Sequence, residues 1–168
     1  MRSTVFLLAI AGCVAAALGA CSAGIVEVQQ AAYGRDCGLL AAQLSRKEPW
    51  ILEEAVAGLG TAGCTQATDA LMELLSDGDR DERVRAAAGV ALARLRKVEA
   101  VPLLVGELAR SSHPELRYAL VSSLGTLCTP ESVGALEGAV SDGDIYVSRA
   151  ARKGLARCAG ELSAGGTP

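Results

Sequence analysis

Leucine recurs along this chain at a spacing too long for one helix and too regular for chance. Segments 51–60, 84–93, 116–125 and 147–156 align on Leu59, Leu92, Leu124 and Leu155, which lie 33, 32 and 31 residues apart. Within each segment the apolar residues fall three and four apart, which gathers them on one helical face. Twelve residues after the first three anchors come Leu71, Leu104 and Leu136, and sixteen after come Leu75, Leu108 and Val140. The register therefore spans two helices per unit, A and B, and a fixed period of this length is the mark of a stacked repeat. The predicted spans are 50–61 and 66–76, 81–96 and 99–110, 114–127 and 130–140, and a final A helix at 145–158. Ahead of them, residues 25–44 read as one or two capping helices. Leu40 and Leu44 sit 31 before Leu71 and Leu75, as in a decayed first repeat.

Turn chemistry punctuates the same register. Ser76-Asp77-Gly78-Asp79 recurs as Ser141-Asp142-Gly143-Asp144, two periods on. Glycine supplies the positive φ that follows a helix, and aspartate caps the next one. Pro114 and Thr129-Pro130 suit first turns of helices. Aromatics are only 3% of a chain that is 51% hydrophobic, so the core is built from Leu, Ala and Val. These small, helix-favouring side chains let helices approach closely.

Val84-Arg85, Ala88 and Leu92, then Leu116-Arg117, Leu124-Gly125, Leu136 and Asp142, resemble the HEAT-like repeat of the phycobilisome-lyase type. The resemblance covers about residues 49–158 and departs at Leu52 and Ser148, where its arginine is missing. It implies an all-α, right-handed solenoid of about 3.5–4 helical hairpins, with B helices lining the concave face. It implies protein binding above any single activity.

Charge sorts between the helix layers. The B helices carry Asp69, Glu73, Glu99, Glu107, Glu131 and Glu137 against Arg110. The A side carries Arg80, Arg83, Arg85, Arg94, Arg96 and Lys97 in one repeat and Arg149, Arg152, Lys153 and Arg157 in the last. If the B helices line the concavity, that face is acidic, with columns Gln66/Glu99/Glu131, Asp69, Met72/Val105/Glu137 and Glu73. A basic or amphipathic segment of an envelope protein would dock there. The competing reading is a solvated surface, with Glu99 and Glu131 merely favouring helix N-termini. The formal net charge of -3 argues against nucleic acid, whose backbone demands clustered positive charge.

The first segment stands apart from the repeats. Val5 to Leu18 is almost wholly apolar behind Arg2, shorter than the ~20 residues of a spanning helix, and reads as the core of a signal peptide. It ends in Leu18-Gly19-Ala20-Cys21-Ser22, which resembles a bacterial lipobox. That resemblance implies a signal at 1–20, cleavage before Cys21, and acylation of Cys21, including palmitate-type chains. Ser22, where aspartate would resemble an inner-membrane retention signal, favours the outer membrane facing the periplasm. A plain signal cut after Ala23 is the competing reading. The expected organisation is then linker and cap at 21–48, repeats at 49–160, and a Gly-rich disordered tail at 161–168.

Cys13 leaves with the signal. Four cysteines remain in an expected oxidising compartment: Cys37, Cys64, Cys128 and Cys158. Sequence alone does not choose among their three connectivities. The repeat register favours Cys37–Cys64 and Cys128–Cys158, stapling the two ends, and free buried thiols are the alternative. No CxxC or His spacing suggests a metal, and no cofactor is expected. His113 is the only histidine and reads as a solvated turn residue, without a nucleophile placed beside it. Asp77-Gly78-Asp79-Arg80-Asp81 has the alternating acids of a calcium loop but lacks its sixth-position Gly and twelfth-position Glu. The chain therefore reads as a binding module and not an enzyme. A bilin lyase-like subunit and a structural accessory of an outer-membrane assembly are the alternatives.

Overall fold

A computed structural model describes residues 24–163. Cys21, the expected signal at 1–20 and the last five residues lie outside the described residues. Among the described residues there is no strand; the chain is nine helices and three short 3-10 turns. These are α1 (24–34), α2 (Cys37–Ala42), α3 (Pro49–Ala62), α4 (Thr68–Ser76), α5 (Glu82–Arg94), α6 (Val101–Arg110), α7 (Pro114–Leu127), α8 (Pro130–Ala139) and α9 (Ile145–Ser163). The chain is an all-α solenoid. The odd-numbered A helices stack on one another and the even-numbered B helices pack beneath them.

The anchor leucines are why the stack closes. Leu59, Leu92, Leu124, Leu71, Leu104 and Leu136 are fully buried and join one continuous core running from Val28 to Cys158. Leu155 is only half-buried, because α9 has no hairpin after it to cover its outer side. At the other end, α1 and α2 form a complete small hairpin that buries Val28, Ala31 and Leu40 against α3. The solenoid thus holds four hairpins and a lone final A helix. That final helix runs to Ser163, five residues past its expected end and into the expected disordered tail.

Local chemistry sets the boundaries. Pro49, Pro114 and Pro130 open their helices at the first turn, where a missing N–H costs nothing. Asp81 Oδ1 accepts from Arg83 N at 2.9 Å to cap α5, and Asp144 Oδ1 accepts from Tyr146 N at 2.8 Å ahead of α9. Asp79, which looks equivalent to Asp144, caps nothing; the extra residues Arg80 and Asp81 move the α5 cap downstream. The A helices α3, α5 and α7 end in left-handed residues: Gly63 (φ 80°), Arg96 (φ 57°) and Cys128 (φ 51°). Only the first is a glycine. The N–H groups of Cys64 and Lys97, which follow Gly63 and Arg96, return to Leu59 O and Leu92 O at 3.0 Å, closing the turn.

Two disulfides bind the ends. Cys37 at the start of α2 is joined to Cys64 after α3, with 5.5 Å between Cα atoms. Cys128 after α7 is joined to Cys158 in α9, with 5.1 Å between Cα atoms.

Candidate functional site

The B-helix face is built from helices of nine or ten residues, each with a buried stripe and an outer one. On α4 the stripe is Leu71, Leu74 and Leu75; on α8 it is Ser132, Leu136 and Ala139. The outer stripe places Gln66, Asp69, Glu73, Glu99, Glu131 and Glu137 in solvent, with Met72 and Val105 half-buried between the helices. These residues share a face but do not converge. Val105 lines a groove of about 420 Å³ between α6 and α8, together with Leu108, Ala135, Gly138 and the paired Arg117 and Asp142, whereas Glu137, exposed on α8, does not line it. Glu73 lines a separate hollow of about 210 Å³ with Leu44 and Leu74, towards the N-terminal hairpin. Glu99 pairs with Lys97 at 3.5 Å.

Glu107 corrects the expected tally of surface acids. It is 3% exposed, not solvent-facing. Arg85 reaches it from α5, and Arg110 donates to it at 2.5 Å. One hairpin on, Arg117 of α7 pairs with the buried carboxylate of Asp142 just after α8. Arg85 and Arg117 occupy the same repeat position, so the α5–α6 and α7–α8 hairpins each tie their A helix to their B side through an arginine and a buried acid. A buried acid of this kind needs its partner, since an isolated charge out of water is costly. The signal that reveals these acids is the arginine at a fixed place in helix A followed 22 or 25 residues later by Glu or Asp. Composition of helix B alone hides it.

Two of the three carboxylates in the calcium-like loop, those of Asp77 and Asp81, are held by neighbouring arginines. Asp77 accepts from Arg80 Nε at 2.9 Å and from Asp79 N at 3.1 Å, and the Arg80 hydrogen bond first, then the backbone, hold it below its ordinary pKa. Asp81 is lowered in the same way by the side chain and then the backbone N–H of Arg83. No group of three or more His, Cys, Asp or Glu side chains is placed to hold a metal among the described residues. His113 is half-exposed at the N-cap of α7 with its Nε2 3.0 Å from Glu82.

Residues 38–110 match the family model for HEAT repeats. Repeats of this kind commonly mediate protein–protein interaction, because stacked hairpins present an extended, mostly rigid surface. No curated protein matches the chain. No described helix is long and apolar enough to cross a membrane.

Proposed function

We propose that this chain is a non-catalytic protein-binding solenoid, tethered to the bacterial envelope through a lipid on Cys21, that receives a basic amphipathic segment on its B-helix face. The observation that carries the reading is the groove between α6 and α8. Its floor of Val105, Leu108 and Ala135 suits one apolar anchor of a helix or strand. Glu131 and Glu137 lie exposed on α8, and Glu99 lies exposed two residues before α6. The neighbouring acids Glu107 and Asp142 are spent on internal arginines, so the wall is braced before a partner arrives. Complementary charge would then set specificity and the rate of encounter. The lipobox-like run at Leu18–Cys21 supports the tether, and outer-membrane placement follows from Ser22.

Photo-crosslinking in cells from Val105 and Glu137 is expected to capture one envelope protein. The captured segment, made as a peptide, should lose at least tenfold in affinity to Glu131→Lys/Glu137→Lys. Unchanged affinity would reject this face. The tether is checked by mass spectrometry of the mature N-terminus. An acylated cysteine supports it, and a free amine at Gly24 overturns it.

A further inference from the structure

The opposite face carries a second groove, of reversed charge. It runs between α7 and α9 on the A side, with a volume of about 500 Å³. None of its ten lining residues is acidic. Gly125 and Gly154 meet where the helices cross, so the floor there is bare backbone. Arg149, Lys153 and Arg157 form one wall, each four residues after the last. Arg157 is steadied by a hydrogen bond to Thr126 Oγ1 at 3.1 Å, and Arg96 reaches the Thr126 carbonyl at 2.5 Å. Among the described residues, Arg149 and Lys153 have no carboxylate partner, whereas Arg80, Arg83, Arg85, Arg110 and Arg117 all do. At the mouth stand Tyr118 and Tyr146, exposed at 49% and 65%. The two tyrosines stand between these cations and a neighbouring hollow lined by Glu115 and Asp144.

We propose that this groove binds an extended acidic segment of a partner protein, with carboxylates at alternate residues. The spacing argues for it. Four helical residues rise about 6 Å. Alternate residues of an extended chain, which point the same way, are separated by about 6.7 Å. Carboxylates on one side of a strand would therefore meet Arg149, Lys153 and Arg157 in turn. The tyrosines take an apolar neighbour on the amphipathic faces of their rings. A bilayer presents its phosphates in a plane and does not enter a groove recessed between two helices. A nucleic acid would bring a long run of phosphates to a chain whose own net charge is -3. This site is independent of the B-face reading, since its probe has the opposite charge.

The test uses the chain from Cys21 onwards without lipid and a fluorescein-labelled nine-residue peptide with glutamates at alternate positions, read by anisotropy. The expected result is saturable binding that weakens with salt and falls at least tenfold in Arg149→Glu/Lys153→Glu. The milder Arg149→Gln/Lys153→Gln should lose several-fold with an unchanged circular dichroism spectrum. A peptide of the same composition with its glutamates in one block should bind several-fold more weakly. Equal binding of the two peptides, indifference to both double variants, or tighter binding of oligothymidylate or of phosphatidylglycerol vesicles would each overturn the proposal.

Discussion

Two identical turns show how little a short motif says about depth. Asp77 and Asp142 each open a Ser-Asp-Gly-Asp turn and each accept the backbone N–H two residues on, at 3.1 and 2.9 Å. There the likeness stops. The Asp77 side chain is 40% exposed and paired to the exposed Arg80; the Asp142 side chain is 3% exposed beneath Arg117. The cause lies in the A helix of the same hairpin. Leu52 stands in the second hairpin where Arg117 stands in the fourth, so the turn after α4 has no buried cation to fold over. The Arg117 Nε is itself buried without an acceptor, which leaves the guanidinium all the more dependent on Asp142. Asp142→Ala should therefore destabilise by roughly 2–4 kcal/mol, as expected for stranding one member of a buried pair. Asp77→Ala should cost clearly less, because a solvent-screened pair at the surface contributes little. Urea unfolding of the two variants checks the contrast, and equal losses would mean the turns are equivalent after all. Asp77 also carries a pH dependence. Its folded pKa lies below the ordinary 3.8, so what its pairing contributes is present above 3.8 and is lost as pH falls through the depressed value. Arg80→Ala should move the carboxyl back towards 3.8, read by carbon NMR.

Elements meet in this solenoid where side chains are smallest. A Cβ on Gly125 would sit 2.7 Å from Gly154 Cα, and one on Gly60 the same distance from Ala91 Cα. Threonine follows each of these glycines, and an arginine from the next A helix bonds to it: Arg94 to Thr61 at 3.0 Å and Arg157 to Thr126 at 3.1 Å. The crossing is thus repeated every second hairpin, a longer period than the leucines display. Alanine is a better helix former than glycine by about 1 kcal/mol, yet Gly125→Ala should destabilise, because overpacking against backbone costs about 1–3 kcal/mol. Gly134→Ala on the open outer side of α8, where an added Cβ meets nothing within 4 Å, should instead stabilise by up to about 1 kcal/mol. Thermal unfolding of both decides it. The anchor leucines made the helices legible in the sequence, because burial of one face imposes a period that survives in the string of letters. The sign and depth of surface charge were not legible. Glu107 and Glu137 look alike along helix B, and only the arm of Arg85, reaching across from another helix, separates the buried acid from the free one. The basic wall of α9 was visible as charge, but its groove depends on α7 supplying Gly125 and Tyr118 across a distance of about thirty residues.

The whole molecule is a one-dimensional stack, in which each hairpin is held by its neighbours and the ends have one neighbour fewer. Stability should therefore fall from the centre outwards, and the placement of the disulfides answers that gradient. Cys37–Cys64 ties the first hairpin to the second, and Cys128–Cys158 ties the unaccompanied α9 to the fourth. The loops they close span 27 and 30 residues, so each bond should stabilise by about 3–4 kcal/mol in the chain-entropy model. The stabilisation matters beyond the termini, because α9 supplies the cationic wall of the A-side groove, and a frayed α9 would erase it. Reduction with dithiothreitol should accordingly speed amide exchange first in α1, α2 and α9, while Leu92 and Leu120, fully buried in α5 and α7, stay protected. Binding of the acidic peptide should weaken in step with exchange in α9. If the amides of α5 open together with those of the ends once the bonds are cut, the hairpins form a single cooperative unit, and the staples act on the whole stack instead of its margins.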